Sequence, residues 1–212
     1  MRAKLTILVV PFARAYSALV EHPRLGELWP EYLVLQHQII RATVPLTEAA
    51  LARSRELDDP LASPLARYLE EHVDEELGHD QTLLGDLELL GIDRATVLAR
   101  MPPPSVAGLV GSQYYWIHHY HPVAFLGYVA LMEGYPPTPE LIDELVERSG
   151  HPRAAFRTYV EHAELDPGHR DRLDRTIDSL PLDRSHETAM GISAIATAAL
   201  AATSLEELLA ER

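Results

Sequence analysis

The chain has 212 residues and no cysteine, with 32 acidic residues against 18 lysine and arginine residues and a formal net charge of −14 at pH 7. The lack of cysteine excludes disulfides, thiolate zinc sites, iron–sulfur clusters and cysteine nucleophiles, so any metal must bind to nitrogen and oxygen ligands. The excess of negative charge argues against nucleic acid and anionic lipid surfaces as partners.

Apolar stretches lie near both ends of the sequence, and both are short. The first, Leu5 to Val10, is too short for a signal-peptide core, and the alanine-rich stretch from Ala189 to Ala202 is too short to span a bilayer. We therefore expect a cytoplasmic protein without a membrane partner, folded as a single helical domain over residues 1–212.

Several segments repeat apolar residues every three or four positions, which predicts helices rather than strands. The first predicted helix runs from about Pro30 to Arg55, with a kink at Pro45. The second begins at Ser63, a favourable N-cap residue that Pro64 follows, and ends at Gly91.

Short connections containing proline and glycine separate the remaining predicted helices. These are an aromatic helix from about Ser105 to Tyr120, a helix that closes at Gly134, a short helix from Thr138 to about Gly150, a helix from Pro152 towards Leu180, and a last helix capped by Ser185. Six to eight helices with such connections predict an all-α, compact bundle.

The second helix carries three polar residues, His72, Glu76 and His79, on its leucine-rich face. Residues spaced i, i+4 and i+7 share one face of a helix, so these side chains are predicted to converge inside the core. The same pattern, E-H-x-x-x-[ED]-x-G-H, occupies residues 71–79 and 161–169. Two histidines and a carboxylate on one face resemble a facial triad, which suits non-haem iron.

The second copy of the pattern adds His162, Asp166 and His169, and Glu133 lies on the apolar face of the helix between the two copies. Burying an ion costs several kcal/mol even after relaxation. The net stability of a whole domain is only roughly 5–15 kcal/mol. Bound metal cations are the simplest explanation of how the cost of burying so many ionisable groups in one core is offset.

Ferritin-like di-iron bundles expect a glutamate on each of two helices and E-x-x-H on each of two others. The first helix of this sequence offers Gln36 and His37 where such a glutamate should lie. We expect Gln36 and His37 to contact substrate instead, together with Tyr115 and His119 of the aromatic helix.

The three segments that carry these residues resemble the haem-oxygenase-like diiron oxidases and oxygenases, also called iron-containing redox enzymes. The resemblance runs from about Glu31 to Leu180, and its most specific segments are HVDEELGHDQTLL (His72 to Leu84), HPVAFLGYVALMEG (His121 to Gly134) and HAELDPGH (His162 to His169). It implies a haem-oxygenase-like bundle of about seven helices.

The resemblance also implies a labile site for two iron ions (Fe²⁺), with O₂ as co-substrate. The positions that match family ligands are Glu76, His79, Glu133, His162, Asp166 and His169. His72 stands where some members carry a glutamate, and it is a seventh candidate ligand. Pyrroloquinoline-quinone synthase and thiaminase II are similar in helix pattern but do not use these ligands.

The implied activity is the oxidation of a small molecule, an amine, an amino acid or a fatty acid, by N-oxygenation, desaturation or oxidative C–C cleavage, in a biosynthetic pathway. A homodimer is also implied. Two alternatives remain open on the residues alone: a zinc- or manganese-dependent hydrolase with the same ligands, and a non-catalytic helical binding protein in which these groups form a hydrogen-bond network. Metal stoichiometry and O₂ consumption distinguish the diiron enzyme, the hydrolase and the binding protein from one another.

Overall fold

A computed structural model describes residues 9–210 of the chain, except for the side chains of Asp166 and Pro167. Over residues 9–210 the chain forms eleven α-helices, two 3₁₀ helices and no strand. The predicted all-α bundle is confirmed. It contains more than seven helices because two predicted helices are each divided in two, and because two short helices have no counterpart among the predicted elements.

The α-helices are α1 (Val10–Val20), α2 (Leu25–Ile40), α3 (Thr43–Glu56), α4 (Ala62–Glu76), α5 (His79–Leu89), α6 (Arg94–Ala99), α7 (Pro104–His119), α8 (Phe125–Met132), α9 (Pro139–Ser149), α10 (Arg157–Ser179) and α11 (Arg184–Ala210). The 3₁₀ helices, Pro122–Ala124 and Arg153–Phe156, precede α8 and α10. Helices α1 and α6 are the two that the sequence patterns do not predict.

The first predicted helix is divided into α2 and α3, and the predicted kink at Pro45 is wrong. Pro45 lies in the first turn of α3, where a missing N–H has little cost. Pro30 lies inside α2 and leaves the carbonyl of Gly26 without its usual helical donor. The Nε2 atom of His151 donates to that carbonyl oxygen at 2.7 Å. His151 therefore stabilises a helix that contains a proline.

The second predicted helix is divided into α4 and α5 at Gly78, whose φ of 93° lies in the left-handed region that favours glycine. Ser63 is not the N-cap of α4, contrary to the prediction. Instead, Oδ1 of Asp59 accepts from the backbone N–H groups of Leu61 at 2.7 Å and Ala62 at 3.0 Å. A carboxylate just ahead of the helix thus caps its first turn.

The predicted boundaries of α9 are confirmed. Thr138 accepts from the N–H of Leu141 at 3.2 Å, and Gly150 follows the helix with a φ of 70°. Ser185 is not the cap of α11. The Oδ1 atom of Asp183 accepts from the N–H groups of Ser185 and His186, at 2.8 and 2.9 Å, so the aspartate is the cap.

Helix α11 is long enough, and apolar enough over an 18-residue window, to cross a membrane by length and composition, with a mean hydropathy of 1.5. The argument from the short stretch Ala189–Ala202 is therefore wrong, because it ignored the rest of the helix. However, 56% of that window is buried inside the bundle, where α11 packs against α1, α7 and α8. A Cβ at Gly127 of α8 would overlap the carbonyl oxygen of Met190 in α11. A core helix of a soluble protein meets the same length and composition criteria.

The buried side chains form two apolar clusters. One contains Leu65, Phe125 and Leu126, and the other contains Trp29, Leu87 and Phe156. A cavity lies between the two clusters, since its wall includes members of both. The ends of α4 and α8 and the beginning of α5 place polar side chains at this cavity or beside it.

Candidate metal centre

Six of the seven predicted metal ligands have described side chains, and the fold brings these six into one region. His72, Glu76, His79, Glu133 and His169 are buried, and His162 is half-buried. They come from the end of α4, the beginning of α5, the residue after α8 and the first half of α10. The seventh, Asp166, lies outside the described side chains.

The tightest group consists of His72, Glu76 and Glu133. One possible ligand atom from each lies within 4.8 Å of the others, and Nε2 of His72 is 3.3 Å from Oε1 of Glu133. Both ring nitrogens of His72 are buried without a hydrogen-bond partner. A buried polar atom without a partner is costly. A cation between these three residues would bind one of the two nitrogens and remove that part of the cost, so the donor set fits a metal.

A second group extends from Glu76 across α5 and α10. Nδ1 of His79 lies 3.3 Å from Oε2 of Glu76, and the rings of His79 and His162 are 4.9 Å apart at 64°. Burial raises the pKa of Glu76, but the hydrogen bond with His79 and the charges of the nearby histidines lower it more, so the net shift is downwards. Glu76 is therefore ionised, as a metal ligand must be.

Helix α4 ends at Glu76 and helix α5 begins at His79, so the three polar residues do not share one continuous helix face as predicted. The left-handed conformation of Gly78 turns the chain between them. The second copy of the sequence pattern, residues 161–169, remains helical throughout. Glycine directly after a helix is a typical termination signal. Gly78 could therefore have indicated the break between α4 and α5. The same signal at Gly168 would have been misleading, because Gly168 lies inside a continuous helix.

Glu75 is a site residue that the sequence patterns did not identify. Its Oε2 lies 3.8 Å from Nδ1 of His72 and 4.0 Å from Nε2 of His169, and its other oxygen forms an ion pair with Arg172. The signal was present, because Glu75 follows His72 by three residues and Arg172 follows His169 by three. Residues with this spacing are neighbours on a helix surface. Glu75 of α4 therefore connects α4 to α10 through His169 and Arg172, and it also lies close to His72.

Tyr68 packs on the outer side of the site. Its ring is stacked on that of His72, with centroids 5.5 Å apart and an interplanar angle of 14°. Burial raises the pKa of Tyr68 well above its usual value, and the nearby charges of Glu133 and Glu76 raise it further. The tyrosine is therefore neutral and restricts the plane of the His72 ring.

A cavity of about 340 Å³ adjoins the site, and its wall includes His72, Glu76, Glu133 and His162. This volume is near the lower end of the roughly 300–1,000 Å³ typical of small-molecule sites. Gln36, which the sequence analysis expects to contact substrate, also lines the cavity.

His37, Tyr115 and His119, the other residues expected to contact substrate, do not line this cavity. His37 is fully buried, but it follows Gln36 directly, and consecutive residues of a helix point in different directions. Tyr115 is 62% exposed and His119 is also exposed, because α7 buries the opposite face, which contains Leu109, Gln113 and Ile117.

Comparisons with known proteins agree with this fold. A family model described as "iron-containing redox enzyme" matches residues 36–203. No curated protein matches the sequence significantly.

Two solved structures are similar to the chain. One is a domain of unknown function with a haem oxygenase-like fold from Shewanella denitrificans, with a TM-score of 0.81 and 18% identity, covering 99% of this chain and 90% of that one. The other is a TenA homologue from Pseudomonas syringae, with a TM-score of 0.69 and 12% identity, covering 97% of this chain and 92% of that one. At these identities the likeness establishes the fold alone, and the predicted haem-oxygenase-like bundle is confirmed.

Proposed function

Since the chain belongs to the family of iron-containing redox enzymes, we propose that it is a non-haem diiron oxidase or oxygenase that uses O₂ to oxidise a small molecule. The observation that carries this proposal is the buried group of His72, Glu76 and Glu133 at the wall of a cavity. Nitrogen and carboxylate donors with open positions suit non-haem iron.

The proposed ligands of two Fe²⁺ ions are Glu76, His79, Glu133, His162, Asp166 and His169, with His72 as a seventh. The first four and His72 lie together around the cavity and the beginning of α5. His169 is connected to His72 through Glu75. Asp166 enters the proposal from the sequence pattern. The buried ring nitrogens of His72, which make no hydrogen bond, support its inclusion.

When bound, Fe²⁺ would supply the electrons that reduce O₂, while the protein would supply binding, orientation and a dry environment. The ionised Glu76 contributes negative charge that compensates the cations. Tyr68 and Glu75 contact His72 from two sides and restrict its ring. The apolar cavity wall keeps water from the substrate atoms that react. The substrates we propose are an amine, an amino acid or a fatty acid, oxidised by N-oxygenation, desaturation or C–C cleavage in a biosynthetic pathway.

The proposal is tested by counting metal ions. The purified chain is stripped of metal and given Fe²⁺ without oxygen, and bound iron is counted in the wild type, in His79→Ala and in His169→Ala. The expected result is about two iron ions per wild-type chain, fewer in both variants, and rapid O₂ uptake when air is admitted. His118→Ala is the matched control, because His118 is an exposed histidine of α7.

Two other outcomes would contradict the proposal. Stoichiometric zinc or manganese without O₂ uptake would indicate a hydrolase that uses the same ligands. No specific metal, and no effect of metal on the melting temperature, would indicate a binding protein, since a ligand of the native state raises its stability by mass action.

We also propose that residues 1–212 form one domain of a cytoplasmic homodimer without nucleic-acid or membrane partners. The match of one solved haem-oxygenase-like domain to 99% of the chain supports the single domain. The net charge of −14 supports the absence of polyanionic partners. Cell fractionation and light scattering of the purified chain test the compartment and the dimer.

A further inference from the structure

Among the tyrosines that line the cavity, three from different helices lie together: Tyr16 of α1, Tyr32 of α2 and Tyr159 of α10. Their hydroxyls form a chain, in which Tyr16 is 3.5 Å from Tyr159 and Tyr159 is 3.3 Å from Tyr32. Each hydroxyl carries one proton and two lone pairs. Two hydrogen bonds use two of the three protons, so one O–H group can still donate, whichever way the bonds run.

The tyrosine cluster, Tyr16, Tyr32 and Tyr159, is uncharged. Burial raises the pKa of Tyr16 to about 12 and also raises the pKa values of Tyr32 and Tyr159 above their usual value. All three hydroxyls therefore keep their protons at neutral pH. The cluster can offer a hydrogen bond to a ligand, but it cannot offer a counter-ion.

Among the described residues, no lysine or arginine lines the cavity, and its acidic residues, Glu76 and Glu133, belong to the proposed metal centre. Much of the remaining wall is apolar and includes Phe12, Leu33 and Ile39. A carboxylate at the tyrosine cluster would lose its hydration without a cationic partner, which is costly. An ammonium there would have only Glu144, whose charge acts on Tyr16 but which is exposed and does not line the cavity. Tyr159 precedes His162 by one helical turn on α10, so the cluster lies beside the metal centre.

We propose that the substrate of this site has an apolar body and an uncharged hydrogen-bonding group, such as a hydroxyl, carbonyl, ether or amide, which the hydroxyls of Tyr16, Tyr32 and Tyr159 hold. The claim that this molecule is the substrate rests on the proposed function. Any charged group of the molecule faces the metal ligands. The inference therefore narrows the proposed amines, amino acids and fatty acids to molecules that carry no charge on the part that lies at the tyrosine cluster.

Trp29 provides a reporter for binding at the cluster. Its ring is buried, with centroids 5.4 Å from that of Tyr32 and 5.1 Å from that of Tyr159. The chain has two tryptophans, so Trp116→Phe leaves Trp29 as the single source of tryptophan emission. A ligand that contacts the tyrosines is expected to change this emission.

The experiment titrates the Trp116→Phe chain with three probes of equal carbon number: 1-octanol, 1-fluorooctane and octanoate. The chain is loaded with Fe²⁺ under nitrogen, so that no oxidation occurs, and the titration is repeated after metal removal. The triple variant Tyr16→Phe/Tyr32→Phe/Tyr159→Phe is expected to weaken 1-octanol binding by about five-fold, the usual effect of one lost hydrogen bond. Binding of 1-fluorooctane and octanoate is expected to stay unchanged, because fluorine bound to carbon is a very weak hydrogen-bond acceptor and the polar group of octanoate is charged.

Tyr114→Phe is the matched control, since Tyr114 is partly buried but does not line the cavity. It should leave the affinity for all three probes unchanged, and melting curves verify that each variant is folded. Octanol binding that does not depend on the three tyrosines would overturn the inference. An equal loss for octanoate would also overturn it, because the cluster would then accept a charged group.

These results separate the inference from the proposed function, since probe binding requires neither iron nor O₂. Tyrosine-dependent octanol binding by a chain that binds no iron would refute the diiron enzyme and leave the chemistry of the cavity established. The opposite result is also possible: the chain binds iron and takes up O₂, but its binding of octanoate depends on the tyrosines. That result would refute the inference and leave the proposed function intact.

Discussion

The Nε2 atom of His72 lies 3.3 Å from Oε1 of Glu133, and the two side chains are buried without a hydrogen bond between these atoms. The two residues come from the end of α4 and the residue after α8. An imidazole nitrogen and a carboxylate oxygen thus approach each other in a place that is buried from solvent. This arrangement suits two ligands of one cation.

We predict that His72→Ala weakens Fe²⁺ binding by roughly ten-fold or more. Loss of a residue that only supports a ligand typically costs 10–100-fold in metal affinity, and loss of a ligand should cost at least as much. The measurement is anaerobic Fe²⁺ titration of the metal-stripped chain. His119→Ala, on the exposed face of α7, is the control. An unchanged affinity in His72→Ala would mean that His72 is an ordinary core residue.

Glu75→Gln should weaken Fe²⁺ binding by about ten-fold. The variant keeps the shape of the side chain but removes the charge that faces His72, His169 and Arg172. Glu71→Gln is a close control, because Glu71 also pairs with Arg172. Its Oε2 lies 3.8 Å from Nη1 of Arg172, but its side chain is 54% exposed. The same titration measures both variants. Equal affinities in the two variants would rule out a positioning role for Glu75.

Gly78→Ala should lower the melting temperature by roughly 2–8 °C, since a left-handed conformation costs a residue with a Cβ about 1–2 kcal/mol. The φ of Gly78 is 93°, and a Cβ there would meet no other atom within 4 Å, so the cost is conformational rather than steric. Fe²⁺ affinity should fall as well, because Gly78 separates Glu76 from His79.

Gly111→Ala is the matched control for this substitution. Gly111 lies inside α7 with helical φ and open space around a Cβ. Alanine should therefore leave the melting temperature unchanged or raise it. Scanning calorimetry of both variants measures the difference, and a Gly78→Ala chain as stable as the wild type would exclude strain at this turn.

Asp59→Ala should lower the free energy of unfolding by about 1 kcal/mol at neutral pH, because Asp59 caps α4 and bonds to His121. Burial raises the pKa of Asp59, but these hydrogen bonds lower it more, so it lies below its usual value of 3.8. A carboxyl with a lowered pKa stabilises the fold fully above its unfolded pKa, and this stabilisation is lost as the pH falls through the folded pKa.

The difference between wild type and Asp59→Ala should therefore shrink below pH 3.8. Urea unfolding between about pH 7 and pH 3 measures it. Asp58→Ala is the control, because Asp58 is an exposed neighbour. A difference that does not depend on pH would exclude the charge of Asp59 as its origin.

Much of the candidate site could be predicted from local sequence. The spacing of His72, Glu76 and Glu133 relative to apolar neighbours indicated that these residues are buried, because the 3.6-residue period of a helix determines which side chains share a face. Thr138 and Gly150 marked the ends of α9 for an equally local reason, since caps satisfy backbone groups within one turn.

Other features depended on contacts between distant segments, and the tertiary structure decided them. Tyr16, Tyr32 and Tyr159 meet only because α1, α2 and α10 pack around one cavity. Tyr115 is exposed because no described element covers that face of α7. The period of a helix shows which residues lie on the same side, but the neighbouring helices determine whether that side faces the core, a cavity or solvent.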